Sequence, residues 1–244
     1  MKSDFKIKKG VLLEYYGKEE SVTIPNGVTS IGKWVFDYYD MLTNIIIPDS
    51  VTTIEQGAFA HCTSLTSIII PDSVTNIGAW AFAGCTRLVA VTISNGVMSI
   101  GYGAFINCRS LTSITIPDSV TSIEYGAFQD FNSLKTYKNR YFKATDGNMQ
   151  CRGFQYKLGK TYKTKRAKLC EYGFHACQRP LDIFNYYYGE IGKDVRLFEV
   201  ELTGVTEERN DNDSKVCGTG IKFLRELSIS ELAELASNKE GIEK

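Results

Sequence analysis

Three cysteines and one histidine in the C-terminal half are the residues whose types could hold a metal or act as a nucleophile: Cys151, Cys170, His175 and Cys177. Thiolates and imidazoles are good zinc ligands, but these residues form no C-x-x-C pair or other spacing typical of a zinc site. His175 and Cys177 would share one face of a strand, yet no third group is placed to orient the histidine as a base. The sequence therefore predicts no metal site, no catalytic residue and no cofactor.

A basic segment, residues 135–168, holds 11 lysines and arginines and a single acidic residue. Basic side chains neutralise phosphates and interleaved aromatic rings can stack on bases, so contact with RNA or DNA is one interpretation. The other is an ordinary lysine-coated hairpin, which the alternation over residues 154–158 and the acidic remainder of the chain favour. The candidates for nucleic-acid contact are Arg152, Lys157, Lys160, Lys163, Lys165, Arg166 and Lys168.

The element that precedes this segment is a repeat with a period of 23 residues. Isoleucine recurs at positions 24, 47, 70, 93 and 116, and phenylalanine at positions 36, 59, 82, 105 and 128. A fixed period of this length predicts a solenoid in which each coil buries its apolar edge against its neighbours. Within one unit, Ile68 and Ile70 point inward, Pro71 ends the strand, and Phe82 lies on the inner side of a short helix or turn.

The repeat reads I-P-D-S-V-T, then A-F, a cysteine and S-L, and over residues 20–134 it resembles the BspA-type leucine-rich repeats. Departures from this pattern are Ser94 at a proline position, and Tyr39 and Phe131 at cysteine positions. The opening residues look like the N-terminal capping hairpin of such proteins. The resemblance implies a curved right-handed solenoid with a ladder of strands on its concave face.

Six residues of the repeat are predicted to contact a partner: Trp34, Tyr38, Tyr39, Ile46, Ile69 and Trp80. Trp34 and Trp80 occupy a position where the three other coils have glycine, and tryptophan and tyrosine dominate interface hot spots. Ile46 and Ile69 stack in one column that faces solvent, which is typical either of a partner site or of packing within the ladder. The alternative for the aromatic residues is packing against neighbouring coils or a cap.

Residues 136–236 resemble an uncharacterised domain of bacterial and prophage proteins, through the segments that begin at Cys151, Gly173 and Leu224. That resemblance implies no activity, but it does imply a link to a mobile element. Gly173-Phe174-His175-Ala176, followed by a helix and a strand that ends at Gly204, also resembles the core of the ADP-ribosyltransferase superfamily. There Arg140 or Lys143, with Glu226, would have to serve as the site residues.

The C-terminal tail, residues 228–236, is predicted to be a helix. Ser228 or Ser230 can accept a hydrogen bond from the first turn, and Glu231 suits the positive end of the helix. Leu232 and Leu235 would dock this helix on the C-terminal domain.

The composition, 43% hydrophobic and 23% charged, is that of a soluble globular protein. No apolar stretch is long enough to span a membrane, and the N-terminus lacks the apolar core of a secretory signal. We therefore expect a cytoplasmic monomer, with Cys62, Cys85 and Cys108 reduced and buried at one repeat position.

The net charge is zero, but the two halves of the chain differ in charge. Residues 1–134 carry 8 basic against 12 acidic residues, and residues 135–244 carry 20 against 16.

The sequence thus predicts an α+β protein with three parts: an N-terminal cap (1–20), a right-handed leucine-rich-repeat solenoid (21–134) and a small basic α+β domain (135–244). The predicted function is non-enzymatic binding of a protein, or of a protein with nucleic acid, through the repeat face and the basic domain. A more specific hypothesis is a mobile-element inhibitor of a host defence nuclease, such as an anti-CRISPR protein. The alternative is an ADP-ribosyltransferase-like enzyme that uses NAD and selects its target through the repeats.

Overall fold

The computed structural model describes residues 4–130, 140–151, 154–165, 174–185, 195–206 and 215–237. Over these residues the fold is rich in β-strands, with a solenoid of about five turns followed by a compact assembly of longer strands. The helices described are one 3-10 helix, Pro180–Asn185, and one α-helix, α1 (Ile229–Ala236). Neither is long and apolar enough to cross a membrane. The right-handed winding and the α+β class stay predictions.

Each coil of the solenoid contributes two short strands. The second strands pair in parallel from each coil to the next, and the first strands pair in parallel within two groups, the first two coils and the last three. The first strands form what we call the strand face: β3 (Ser21–Thr23), β5 (Asn44–Ile46), β7 (Ser67–Ile70), β9 (Ala90–Ile93) and β11 (Ser113–Thr115). The second strands form a continuous ladder: β4 (Ser30–Ile31), β6 (Thr53–Ile54), β8 (Asn76–Ile77), β10 (Ser99–Ile100) and β12 (Ser122–Ile123). An N-terminal hairpin, β1 (Phe5–Lys8) and β2 (Val11–Tyr15), extends this second ladder because β2 pairs with β4.

A column of five phenylalanines runs through the centre of the solenoid: Phe36, Phe59, Phe82, Phe105 and Phe128. Their rings are nearly parallel, and neighbouring centroids are 5.2, 5.2, 5.1 and 5.7 Å apart. Every ring is buried, so the period of the sequence becomes one ring per coil of a close-packed stack.

The three repeat cysteines are buried and none is in a disulfide, as the sequence predicts. The thiol of Cys85 donates a hydrogen bond to the carbonyl oxygen of Phe59 at 3.2 Å, and those of Cys62 and Cys108 do the same one coil away. Burial raises the pKa of these thiols, so they stay protonated and remain donors. The cysteine therefore satisfies a buried carbonyl as well as filling space.

The third side of each coil consists of turns, and we call it the turn face. Backbone N–H groups of residues 34, 36 and 38 donate to the carbonyl groups of residues 56, 58 and 60, and later coils repeat the pattern. Two positions in every coil have left-handed backbone, with φ between 55° and 70°. The first holds Trp34, Gly57, Trp80, Gly103 and Gly126, and the second holds Tyr38, His61, Gly84, Asn107 and Asp130.

The C-terminal strands close into a ring. The four members are β13 (Tyr141–Asp146), β17 (Phe174–Cys177), β18 (Val195–Thr206) and β19 (Lys215–Leu227). β13 pairs with β17 and β18, and β19 pairs with the same two strands, so the antiparallel pairings return to their start. Phe198, Val200 and Phe223 fill the inside of this ring. Two short additions are β16 (Thr161–Lys163), on β19, and the hairpin of β14 (Gln150–Cys151) and β15 (Phe154–Gln155).

Helix α1 joins the C-terminal strands to the last described coil of the solenoid. The hydroxyl oxygen of Ser237 accepts a hydrogen bond from the N–H of Ile114 and lies 3.1 Å from the carbonyl oxygen of the same residue. Ser230 donates to Asp118, and the ring of Phe184 in the 3-10 helix lies 6.2 Å from that of Phe128. One apolar core therefore runs from the solenoid into the C-terminal strands.

A chain of ion pairs fixes the start of α1. Glu199 accepts from both Arg140 and Arg225, and Arg225 also donates to Glu231, which completes the capping box with Ser228. Hydrogen bonds from Arg140 hold the pKa of the Glu199 carboxyl below its usual value. A carboxyl whose folded pKa is depressed stabilises the fold above its unfolded pKa, and this contribution is lost as the pH falls through the folded pKa.

Candidate functional site

The turn face carries a row of aromatic side chains across its first coils. We call this row the aromatic ridge and define it by its rings: Trp34, Tyr38, His61, Trp80 and Tyr102. The tryptophans are 44% and 36% exposed and Tyr38 is 66% exposed, although all three are large apolar groups. These exposed rings lie on the first and third coils, and His61 and Tyr102 lie on the second and fourth, so the row crosses four coils.

Each tryptophan ring of the ridge lies over the glycine of the following coil. A Cβ built on Gly57 would be 2.0 Å from Cε3 of Trp34, and one built on Gly103 would be 3.0 Å from Cδ1 of Trp80. A side chain at Gly57 would therefore force the indole off the surface. The alternation of tryptophan and glycine along this column lets one ring cover two coils.

The second left-handed column holds a stack that spans three coils. The rings of Tyr38 and His61 are 4.2 Å apart and nearly parallel. The imidazole in turn covers Gly84, where a Cβ would lie 2.7 Å from its Cδ2 atom. Nδ1 of His61 is 3.1 Å from a carboxylate oxygen of Asp37, which fixes the orientation of the imidazole.

The backbone gives no reason for bulky residues at these positions. Trp34, Tyr38, His61 and Trp80 have φ between 55° and 60°, a region where a large side chain costs about 1–3 kcal/mol. Other coils use glycine, asparagine or aspartate there, which adopt this conformation at low cost. Strain of this kind persists when the side chains serve another purpose, so the ridge is the candidate site of this protein.

The polar edges of the ridge include exposed hydrogen-bond donors. Among the residues that the structure describes, the indole N–H groups of Trp34 and Trp80 and the hydroxyl of Tyr38 have no hydrogen-bond partner. The ridge therefore offers flat apolar faces with N–H and O–H donors at their edges, an arrangement suited to binding rather than to bond cleavage.

Comparison with known families agrees with this architecture. A family model described as "BspA type Leucine rich repeat region (6 copies)" matches residues 12–135. The chain belongs to the BspA-type leucine-rich repeat family. The match has six copies, one more than the five units recognised in the sequence, and it begins at Leu12 in the N-terminal hairpin. A second model, "Domain of unknown function (DUF7666)", matches residues 139–235.

Solved structures similar to this chain are bacterial leucine-rich repeat proteins. One from Eubacterium ventriosum ATCC 27560 is 29% identical with a TM-score of 0.49, over 51% of this chain and 34% of that one. The T. pallidum Leucine Rich Repeat protein is 32% identical with a TM-score of 0.49, over 50% of this chain and 60% of that one. A leucine rich cell surface protein from Faecalibacterium prausnitzii A2-165 is 30% identical with a TM-score of 0.39, over 54% and 53%.

This chain thus spans about a third of the first of these proteins and 60% of the second. No curated protein matches it.

The remaining partner-binding candidates lie away from the ridge. Ile46 and Ile69 are on the strand face, 53% and 68% exposed, at equivalent positions of β5 and β7. Tyr39 is half-buried, packs edge-on against Tyr15 and donates to the carbonyl of Glu19. Its ring therefore fills the space between the first coil and the hairpin, at the position that cysteine takes in later coils.

The basic candidates form a separate patch. Lys157 and Lys160 flank the turn between β15 and β16, Lys163 is on β16, and Lys165 follows it; all four are exposed. Phe154 and Leu158 are exposed in the same region. Arg152, Arg166 and Lys168 lie outside the described residues.

The residues with possible chemistry do not converge on a site in the described part of the chain. No three of its histidine, cysteine, aspartate and glutamate residues form a metal-binding group, and Cys170 is not described. His175 is half-buried and Cys177 is buried, both on β17, which lies between β13 and β19 in the sheet.

The residues required by an ADP-ribosyltransferase-like site are engaged separately. Arg140 pairs with Glu199, and Glu226 pairs with Arg196. Glu226 on β19 pairs with Phe198 on β18, so these two side chains share one face of the sheet. Glu199 is the next residue on β18 and points to the other face. The two ion pairs are therefore on opposite faces of the sheet. Lys143 is buried inside the strand ring and donates to the carbonyl of His175 at 3.0 Å; burial lowers the pKa of its amine.

Sequence reasoning found the tryptophans but missed His61 and Tyr102. The sequence does contain a signal for His61. The equivalent positions 84, 107 and 130 hold glycine, asparagine and aspartate, which indicate left-handed backbone at this position of the repeat. A histidine in that column is as exceptional as a tryptophan in the other. Tyr102 carries no such signal, because its position accepts many residue types.

Proposed function

We propose that this protein is a non-enzymatic interaction module that binds a protein partner through the aromatic ridge. The observation that carries the proposal is the set of exposed rings at left-handed positions that other coils fill with small residues. Leucine-rich repeats suggest a protein-interaction role for the chain. The aromatic rings of the ridge distinguish one region of the turn face from the rest of an otherwise regular surface.

The ridge has the physical properties of an interface hot spot. Tryptophan and tyrosine bury large areas on binding and lose little conformational entropy. The rings are already held in place by Gly57, His61 and Gly103, so binding need not order them.

The repeat itself supplies the variants that test this proposal. Trp34→Gly/Trp80→Gly restores the residue that three coils have, so we expect it to remove partner binding without loss of the solenoid. Ile46→Thr/Ile69→Thr restores the residue of the other coils on the strand face and serves as the matched control. The measurement is capture of partners from a bacterial lysate, with and without nuclease treatment, followed by mass spectrometry.

Loss of the same captured protein with the tryptophan variant, and its retention with the isoleucine variant, supports the proposal. The reverse pattern would place the contact on the strand face. Loss of the captured protein on nuclease treatment alone would show that nucleic acid is the bridge. In that case the lysine patch around Lys160 becomes the contact to vary.

The proposal also includes a second contact surface and a more specific biological role. The exposed lysine patch is a second contact surface, for an acidic protein or a nucleic acid. We propose further that the protein is a cytoplasmic monomer and that it is a prophage-encoded inhibitor of a host defence nuclease. Addition of the purified protein to a defence-nuclease cleavage assay tests the last of these, and undiminished cleavage at saturating protein would exclude that nuclease as the target.

A further inference from the structure

We propose that the ligand of the aromatic ridge is a proline-rich segment in the polyproline II conformation. This inference rests on the proposed function and names the chemistry of the partner. It comes from the spacing of the two tryptophans, from the polar atoms that the ridge leaves unpaired, and from the fixed position of its rings.

The spacing follows from the phenylalanine stack. Consecutive coils advance by about 5.2 Å, so equivalent positions two coils apart are separated by about 10 Å. Trp34 and Trp80 are equivalent positions two coils apart. A polyproline II helix has 3 residues per turn and a rise of about 3.1 Å per residue, which brings residues i and i+3 to the same side about 9.3 Å apart. The two prolines of a P-x-x-P segment therefore match the separation of positions 34 and 80 along the array, one proline for each tryptophan.

The polar complementarity points to the same ligand. A polyproline II backbone has no internal hydrogen bonds, and its prolines have no N–H, so it presents carbonyl acceptors. The ridge presents donors, since the indole N–H groups of Trp34 and Trp80 and the Tyr38 hydroxyl are unpaired within the described residues. An aromatic surface edged with donors is how proline-rich segments are recognised in other folds.

Rigidity favours this ligand over a flexible chain. The tryptophans rest on glycines of the next coil, and Tyr38 is stacked on His61, so the receptor side is fixed before binding. A polyproline II segment is likewise ordered before it binds, which lowers the entropy cost on both sides. A sugar polymer can also stack on exposed rings, so an oligosaccharide is the competing ligand to be tested against the peptide.

The test uses the fluorescence of the protein, because Trp34 and Trp80 are its only tryptophans. A peptide of ten prolines is titrated against the full chain. A peptide of the same length with glycine and serine in place of proline is the control, and a cello-oligosaccharide is the second probe. We expect a saturable change in tryptophan emission with the proline peptide alone.

Labelled-peptide anisotropy then measures the variants. Trp34→Gly and Trp80→Gly are each expected to weaken binding about tenfold or more, as for hot-spot residues. Ile69→Thr, on the strand face, should leave the affinity unchanged. Tyr38→Asn, which places the residue of a later coil at the second left-handed position, should weaken binding to a smaller extent.

No saturable change at millimolar proline peptide, or equal binding of the glycine–serine peptide, would overturn this inference. So would binding of the oligosaccharide in place of the peptide. If the proline peptide fails while the tryptophan variant still loses its captured protein, the ligand chemistry is wrong and the interaction role stands. If both experiments fail, the ridge is not the contact surface.

Discussion

Phe82→Ala is expected to lower the free energy of unfolding by about 3–5 kcal/mol. Phe82 is fully buried between Phe59 and Phe105, with ring centroids 5.2 and 5.1 Å away, so truncation leaves a cavity with a ring on either side. Each coil buries its core only against its neighbours, so weakening the middle coil separates the array into two short halves. Chemical denaturation monitored by circular dichroism measures the effect.

The matched control for Phe82→Ala is Val89→Thr. Val89 is 44% exposed, and the equivalent position of three other coils is threonine, so the change should stay within about 0.5 kcal/mol. If Phe82→Ala costs no more than this control, the stack does not hold the coils together. A second transition in the denaturation curve of Phe82→Ala would show that the two halves unfold separately.

Leu232→Ala is expected to cost about 2–5 kcal/mol and to expose the end of the solenoid. Leu232 is completely buried in the core that the solenoid and the C-terminal strands share. Packing of helix α1 through Leu232 holds Ser237 against the backbone of Ile114. Ile114 is on β11, the last described strand of the strand face. Loss of that packing leaves the backbone groups of a strand edge without partners.

Hydrogen exchange locates the effect of Leu232→Ala. The amide of Ile114 should lose protection in the variant, while amides of the first coils keep theirs. Glu234→Ala, at an exposed position of the same helix, is the control and should change neither. Unchanged protection of Ile114 in Leu232→Ala would show that the last coil is stable without α1.

The inward residues of the solenoid could be predicted from the sequence because one spacing sets them all. Once the period of 23 residues is recognised, each isoleucine and phenylalanine is placed by its neighbours. The start of α1 was predicted with either Ser228 or Ser230 as the N-cap, and the structure has Ser228, in a capping box with Glu231.

The contacts of α1 could not be predicted, because they join residues far apart in the sequence. Ser237 and Ile114 are 123 residues apart, and no periodic pattern links them. The sequence placed Leu232 and Leu235 against the C-terminal domain, whereas the helix packs on the solenoid as well. The closed strand ring could not be predicted for the same reason. Its strands pair with partners far away in the sequence, as β17 does with β13 and β19.

The ridge was predicted in part. Trp34 and Trp80 differ from the glycines of their column, and that difference was visible in the sequence. The sign of φ at those positions was not inferred, because the tryptophans themselves give no hint of left-handed backbone; the signal was in the glycines at 57, 103 and 126 of the same column. Only with that geometry does the column become a place where glycine is the natural residue and tryptophan needs a reason.

The central claim is that the ridge is additional to what the fold requires, and the unfolding free energy of Trp34→Gly tests it most directly. Burial of the half-exposed indole contributes about 3 kcal/mol at most, and glycine releases about 1–3 kcal/mol of backbone strain. We therefore predict a loss of about 2 kcal/mol or less, below that of Phe82→Ala. A loss as large as that of Phe82→Ala would contradict the claim and make Trp34 a structural residue of the solenoid.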